Sequence, residues 1–274
     1  MRLSWKMGRF AGIDLYIHAT FLIVFLFVPK LISDGMAPIA AVLLICASFG
    51  CVLLHELGHA LAARQFGIGT VDITLYPIGG VARLQRMPRA PGAELVIALA
   101  GPAVNFAIAA AMGVFFFAIA AGFGLTLSVD SFLVRLFVVN VVLGCFNLIP
   151  AFPMDGGRVL RAGLSTILGR AKATRVASIV GQVLAVLFAI AAVQYTNDPI
   201  HIALAAFIFF AARNEEAHVL YEESRRSAVQ ANTQGMWVAP PGYQWVDRGN
   251  GLWQLAPVGA RYPDHSARDA SAWR

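Results

Sequence analysis

The sequence predicts an all-α polytopic membrane protein with about six transmembrane helices and a small membrane-associated β-hairpin. Hydrophobic residues make up 58% of the 274 residues, and the mean hydropathy is +0.69. Charged residues make up only 13%, about half of their share in a soluble domain. Six apolar runs predict the helices, although the last run is short for a membrane span. Five of these runs lie near residues 16–31, 37–63, 93–123, 173–195 and 199–212. The fourth starts near residue 132 and reaches into the segment NLIPAFPMDGGRVLRAG.

The placement of basic residues predicts the orientation of these helices. The amino-terminal segment MRLSWKMGRFAGIDLY is basic and amphipathic, and Arg and Lys also follow the second, fourth and sixth apolar runs. The opposite loops hold Lys30 and little else. The positive-inside rule therefore places both termini in the cytoplasm. Because the basic residues fall at the ends of apolar runs, the net charge of +6 does not indicate a nucleic-acid partner.

The second apolar run carries a metal-ligand motif. His55, Glu56 and His59 stand as H-E-L-G-H within this run. Two histidines four apart project from one face of a helix, so both imidazoles can reach one Zn²⁺, with the glutamate beside it as a general base. Ionisable side chains are costly in a membrane span, which favours function over a buried helix with two satisfied histidines. If the helix runs inward to Arg64, His55 lies about 13 Å below the cytoplasmic surface.

A break in the fourth apolar run supplies a candidate third ligand. In the segment NLIPAFPMDGG, two prolines and two glycines interrupt the helix. A broken helix at membrane depth must line a cavity. Asp155 then offers the carboxylate that zinc hydrolases combine with two histidines. The alternative is a helix-capping Asp in a cytoplasmic loop, and the H-E-x-x-H motif in the same chain favours the ligand.

Three weaker signals accompany these motifs. Alternation from Val71 to Tyr76, followed by Gly79-Gly80 and VARL, predicts a hairpin, either an ordinary cytoplasmic one or one that lines a wet cavity. His18, at the start of the first apolar run, is either an interfacial histidine or a residue that supports or gates the site. Asn105, in the small-residue segment AGPAVN, can hydrogen-bond across a helix contact, although packing alone is favoured.

The composition changes after about Arg226, and the predicted domain boundary lies at residue 220. Residues 1–220 are predicted to form the six-span membrane domain, and residues 221–274 a partly disordered cytoplasmic tail. The sequence from Asp247 to Gly251, between QWV and LWQL, predicts the turn of a Trp-rich hairpin. Such a hairpin would dock on a regulatory partner or on the membrane surface, and a mostly disordered tail is the alternative.

Three motifs in combination resemble the site-2 protease family of intramembrane zinc metalloproteases. They are H-E-L-G-H in an apolar helix, G-P-A-V-N after a GG hairpin, and N-L-I-P-A-F-P-M-D-G-G-R. The resemblance covers about Gly12 to Ala212. No insertion between the motifs is long enough for a PDZ domain, and the tail is too short for a pair of CBS domains, so two common subgroups are not expected.

The resemblance implies a role for each matching residue. It implies one Zn²⁺ per chain, bound by His55, His59 and Asp155. It also implies that Glu56 is the catalytic base and that Asn147, in the N-x-x-P segment, assists at the active site.

The resemblance also implies a substrate and a location. We expect hydrolysis of a peptide bond within or near the transmembrane segment of a single-span regulatory protein, in the lipid bilayer of a bacterial inner membrane. The alternation alone, and not the resemblance, motivates the hypothesis that the strand from Val71 to Tyr76 holds the unwound substrate by β-addition. Two other classes stay open. A metal transporter often shows an internal repeat, which this sequence lacks, and an inactive scaffold would not need Glu56.

Overall fold

The computed structural model describes residues 3–86, 88, 90–124, 128, 131–195, 199–235, 239, 242–247 and 253–259. Within these ranges the chain is mostly helical and carries a four-stranded and a two-stranded β-sheet. The helices are α1 (Val28–Ser33), α2 (Pro38–Gln65), α3 (Pro91–Phe123), α4 (Phe132–Asn147), α5 (Asp155–Leu168), α6 (Arg170–Tyr195) and α7 (Pro199–Gly235). The strands are β1 (Ser4–Phe10), β2 (Ile13–His18), β3 (Thr70–Tyr76), β4 (Gly79–Leu84), β5 (Tyr243–Asp247) and β6 (Trp253–Pro257).

Among the described residues, three helices are long and apolar enough to cross a membrane. These are α2, α3 and α6, which correspond to the second, third and fifth predicted spans. Helix α4 and the helical segment Ala19–Ser33 are also apolar but shorter. The structure therefore agrees with a mostly helical membrane protein, and the total of six spans stays a prediction.

The first predicted span begins later than expected. The prediction starts a helix near Tyr16, whereas strand β2 continues to His18. The apolar run then forms a 3-10 helix, Ala19–Phe27, which passes into α1. Nδ1 of His18 accepts a hydrogen bond from the backbone N–H of Thr20 at 3.3 Å, and its ring lies beside Tyr76. His18 thus caps the start of this helix.

The β-structure is larger than the single predicted hairpin. Strands β3 and β4 form that hairpin, with Tyr76 opposite Gly79. Strand β2 pairs in parallel with β3, and β1 pairs antiparallel with β2, so the order is β1-β2-β3-β4. Strand β3 is therefore paired on both sides, and the prediction that it holds a substrate by β-addition is wrong. The edge strands of this sheet are β1 and β4.

The sheet packs against the helix that carries the H-E-L-G-H motif. Ile13 of β2 and Ile73 of β3 form one buried cluster with Leu57 and Ala60 of α2. Because side chains alternate along a strand, these residues define the apolar face of the sheet. The packing brings β4 alongside the motif.

The carboxy-terminal part contains an antiparallel pair of strands. In this pair, β5 and β6, Asp247 lies opposite Trp253. Residues 248–252, which hold most of the predicted turn, lie outside the described residues. The chain divides into two compact units, Met1–Val219 and Leu220–Arg274. The assignment of a cytoplasmic tail to residues 221–274 stays a prediction.

Candidate metal centre

Three ligand-type side chains meet between α2 and α5. Nε2 of His55 lies 3.1 Å from Nε2 of His59. Oδ2 of Asp155 lies 3.1 Å from the first nitrogen and 3.0 Å from the second. The three residues are only 4%, 5% and 8% exposed, respectively. Each residue thus contributes one ligand atom, and the three atoms lie close together, as in sites that hold a metal ion.

Local sequence explains how each of these residues is presented by its helix. His55 and His59 lie one helical turn apart on α2, as their spacing predicts. Helix α4 ends at Asn147, and Asp155 is the first residue of α5, so the predicted break occurs between them. A Cβ on Gly156 would collide with the carbonyl oxygens of Leu148 and Ile149. Glycine at this position therefore lets the broken segment fold closely over the start of α5.

Hydrogen bonds on the other ring nitrogens set the tautomers of both histidines. Nδ1 of His59 lies 2.6 Å from the carbonyl oxygen of Ile97, which can only accept, so this Nδ1 carries the hydrogen. Nδ1 of His55 lies 2.5 Å from Oδ1 of Asn105, which accepts in the same way. Both neutral rings then present an Nε2 lone pair to each other and to Asp155. Because a bound cation would relieve this crowding of lone pairs and negative charge, the residues fit a metal ion.

Gly101 of α3 keeps the space beside the three ligands open. A Cβ at this position would collide with Nε2 of His59 and would lie 2.6 Å from Nε2 of His55. Any larger residue would therefore occupy the place where the ligand atoms converge. The sequence predicts only a packing role for Gly101, and its place in the G-P-A-V-N motif is the signal that could have indicated more.

Glu56 lies beside the cluster and against β4. The backbone N–H of Ala82 donates a hydrogen bond to Oε2 of Glu56 at 3.1 Å. A Cβ on Gly80 would lie 2.5 Å from Cγ of Glu56, so glycine allows this close approach. Tyr76 and Gly79 pair across a two-residue turn, so Gly79 forms backbone hydrogen bonds to β3. In an antiparallel pair only every second residue forms such bonds, so Val81 is the next residue of β4 to do so. The N–H groups of Gly80 and Ala82 therefore point away from the sheet.

Asn147 does not join this cluster. Its Nδ2 donates to the carbonyl oxygen of Leu143 at 3.0 Å, within α4. A role for Asn147 at the active site stays a prediction.

Sequence reasoning missed a buried group of charged side chains near the site. Arg161 of α5 is fully buried and donates from Nε to Glu94 of α3 at 2.7 Å. Its Nη1 donates to Glu215 of α7 at 2.6 Å. Glu94 precedes Ile97, the partner of His59, by one turn of α3. The ion pairs therefore link the helix that carries Asp155 to the helix that supports His59.

Known proteins are similar to this chain in both sequence and fold. A model of Peptidase family M50 matches residues 43–124 and 117–191. The chain is 36% identical over 222 residues to Zinc metalloprotease MJ0392 of Methanocaldococcus jannaschii, which covers 81% of this chain and 63% of that protein. The chain thus spans less than two thirds of the length of this relative.

A solved structure shares the fold. The Site-2 Protease from Methanocaldococcus jannaschii has a TM-score of 0.58 and 34% sequence identity, and the match covers 78% of this chain and 95% of that chain. The residues matched by the family model include His55, His59 and Asp155 and amount to more than half of the chain. The chain belongs to peptidase family M50, the site-2 protease family.

Proposed function

We propose that this protein is an intramembrane zinc metalloprotease. It hydrolyses a peptide bond within or near the transmembrane segment of a membrane-anchored substrate. The observation that carries the proposal is the buried convergence of His55, His59 and Asp155, with Glu56 beside them. The name of the relative MJ0392, a zinc metalloprotease, supports the same activity.

His55, His59 and Asp155 would hold one Zn²⁺ per chain. When bound there, Zn²⁺ supplies a Lewis acid that polarises the scissile carbonyl and activates water. The hydrogen bonds to Ile97 and Asn105 keep both imidazoles in the orientation and tautomer that a metal ligand requires.

Glu56 serves as the general base and then as the general acid. Its carboxylate takes a proton from the attacking water and delivers that proton to the leaving amine nitrogen. The Ala82 N–H holds one carboxylate oxygen and so limits rotation of the group. This contact ties the position of the base to the position of strand β4.

We assign the holding of the substrate to β4 instead of β3. A helical substrate hides its amides, so the segment to be cleaved must unwind. The outward N–H and C=O groups of Gly80 and the outward C=O group of Ala82 can pair with an extended segment by β-addition. Since the Ala82 N–H contacts Glu56, a strand paired there would pass directly beside the base.

The placement of charges and apolar runs supports a membrane topology and a location for the protein. Six membrane crossings, with both termini in the cytoplasm of a bacterium, would place the metal centre within the inner membrane. The substrate would be a single-span regulatory protein, and the strands β5 and β6 would contact a regulatory partner.

Proteomics of membrane fractions tests the proposed function. Strains that express the wild-type protein or Glu56→Gln at equal levels would be compared. Single-span membrane proteins should accumulate uncleaved with Glu56→Gln and should appear as shortened products with the wild type. Identical profiles of single-span proteins in the two strains would contradict a protease function.

A further inference from the structure

A chain of buried amide groups connects His55 to helix α4. Oδ1 of Asn105 accepts from Nδ1 of His55 at 2.5 Å, and Nδ2 of Asn105 donates to Oδ1 of Asn140 at 3.1 Å. Nδ2 of Asn140 then donates to the carbonyl oxygen of Leu136 at 2.9 Å and to Sγ of Cys51 at 3.3 Å. Asn105 and Asn140 are both fully buried. Each amide group therefore depends on these protein partners for its hydrogen bonds.

The hydrogen bond from Asn140 to the carbonyl oxygen of Leu136 determines the direction of the other hydrogen bonds in this series of amide groups. The carbonyl oxygen of Leu136 can only accept, so the NH₂ group of Asn140 must face it and the oxygen of Asn140 faces Asn105. The NH₂ group of Asn105 consequently faces Asn140, and its oxygen faces His55. The hydrogen of His55 then lies on Nδ1, which leaves the lone pair of Nε2 directed at the metal centre.

We propose that Asn140 is a positioning residue for the metal centre. It fixes the amide orientation of Asn105 and thereby the tautomer of His55, without touching the metal itself. The inference rests on the proposed role of His55 as a metal ligand. It concerns one ligand only, because the carbonyl oxygen of Ile97 fixes the tautomer of His59 directly.

Removal of the Asn140 side-chain amide has a specific consequence at His55. With an apolar side chain at position 140, the amide of Asn105 can rotate by half a turn and present its NH₂ group to Nδ1 of His55. That arrangement places the hydrogen of the imidazole on Nε2, where it opposes metal binding. The expected defect is weaker metal binding, not loss of the fold.

The test is the zinc affinity of the purified protein in detergent, measured by competition with a chromophoric chelator. For Asn140→Leu we expect an affinity about 10- to 100-fold weaker than that of the wild type, as for other residues that orient a histidine ligand. Asn140→Asp keeps an oxygen acceptor facing Asn105, so its affinity should stay close to the wild-type value. This second variant has nearly the same size and controls for a general effect of substitution at position 140.

Ser178→Ala is the matched control for the loss of a buried hydrogen bond. Ser178 is fully buried and donates to the carbonyl oxygen of Ala212 at 2.9 Å, between α6 and α7. Its zinc affinity should equal that of the wild type. Wild-type affinity in Asn140→Leu would overturn the proposal, and so would equal losses in Asn140→Leu and Ser178→Ala. Equal losses in Asn140→Leu and Asn140→Asp would also contradict it, because the orientation of Asn105 would then not be the cause.

His55→Ala in the same assay separates this inference from the proposed function. Zinc binding should be nearly abolished in His55→Ala. If His55→Ala binds zinc as the wild type does, the ligand assignment fails and the role of Asn140 fails with it. If His55→Ala loses zinc while Asn140→Leu keeps wild-type affinity, only the role of Asn140 is refuted.

Discussion

The backbone N–H of Ala82 on strand β4 donates a hydrogen bond to Oε2 of Glu56 on helix α2, at 3.1 Å. The amide belongs to an edge strand and points away from the sheet, so its partner is not another strand. A hydrogen bond therefore joins the sheet directly to the proposed general base. A displacement of β4 would also displace the carboxylate.

Ala82→Pro should reduce cleavage without removing zinc. Proline lacks the N–H that Glu56 accepts, and it is tolerated on an edge strand where that N–H does not join the ladder. A misplaced catalytic group costs up to about 100-fold in rate, so cleavage of a single-span substrate should fall within this range. Ala82→Ser keeps the N–H and should retain activity. Equal cleavage by the wild type and Ala82→Pro would show that this hydrogen bond has no role in positioning the base.

Gly101→Ala should abolish most zinc binding. The added methyl group would collide with Nε2 of His59 and lie 2.6 Å from Nε2 of His55. Gly113→Ala on the same helix is the control, because the nearest atom to its new methyl group is 3.8 Å away, on Phe137. Both changes favour the helix by about 1 kcal/mol, so lost helicity cannot explain a difference. The measurement is zinc per protein by elemental analysis, and full zinc content in Gly101→Ala would contradict the described geometry.

Arg161→Met should destabilise the protein strongly. It leaves the carboxylate of Glu94 buried without its main partner, and breaking a buried ion pair costs about 3–5 kcal/mol. Lys6→Met breaks the pair between the exposed Lys6 and the half-buried Asp14, which should contribute much less, about 1 kcal/mol. Thermal unfolding in detergent should show a large drop in Tm only for Arg161→Met. Similar Tm values for the two variants would mean that the buried ion pairs do not hold α5 to α3.

Reporter fusions test the number of membrane crossings. A reporter fused after Arg226 should be active on the cytoplasmic side, and one inserted at Gly124 should be active on the external side. The reason is that basic residues flank the segments predicted to face the cytoplasm. Detection of both reporters on one side of the membrane would rule out the six-span arrangement.

The sequence predicts the local parts of the site well. His55 and His59 are neighbours because of helical periodicity alone, and this holds whatever the rest of the chain does. The composition of NLIPAFPMDGG predicts the break that presents Asp155, because proline and glycine act locally. The hairpin of β3 and β4 is likewise a local pattern of alternation and a turn.

The parts that depend on distant segments could not be predicted in this way. The parallel pairing of β2 with β3 joins segments that are far apart in the sequence, and it converts β3 from an edge strand into a central one. Asn140 and Arg161 carry no local signal of their partners, since each meets side chains from other helices. Only tertiary packing reveals that the amide of Asn140 extends the support of His55.

Zinc content and cleavage, measured together on two variants, test the central claim most directly. Asp155→Ala removes a proposed ligand, so both zinc per protein and cleavage of a co-expressed single-span substrate should fall. Glu56→Gln keeps the size and polarity of the side chain but removes the base, so zinc should stay near the wild-type level while cleavage falls by at least about 100-fold. Full zinc in Asp155→Ala would remove Asp155 from the ligand set, and retained cleavage in Glu56→Gln would contradict the proposed mechanism.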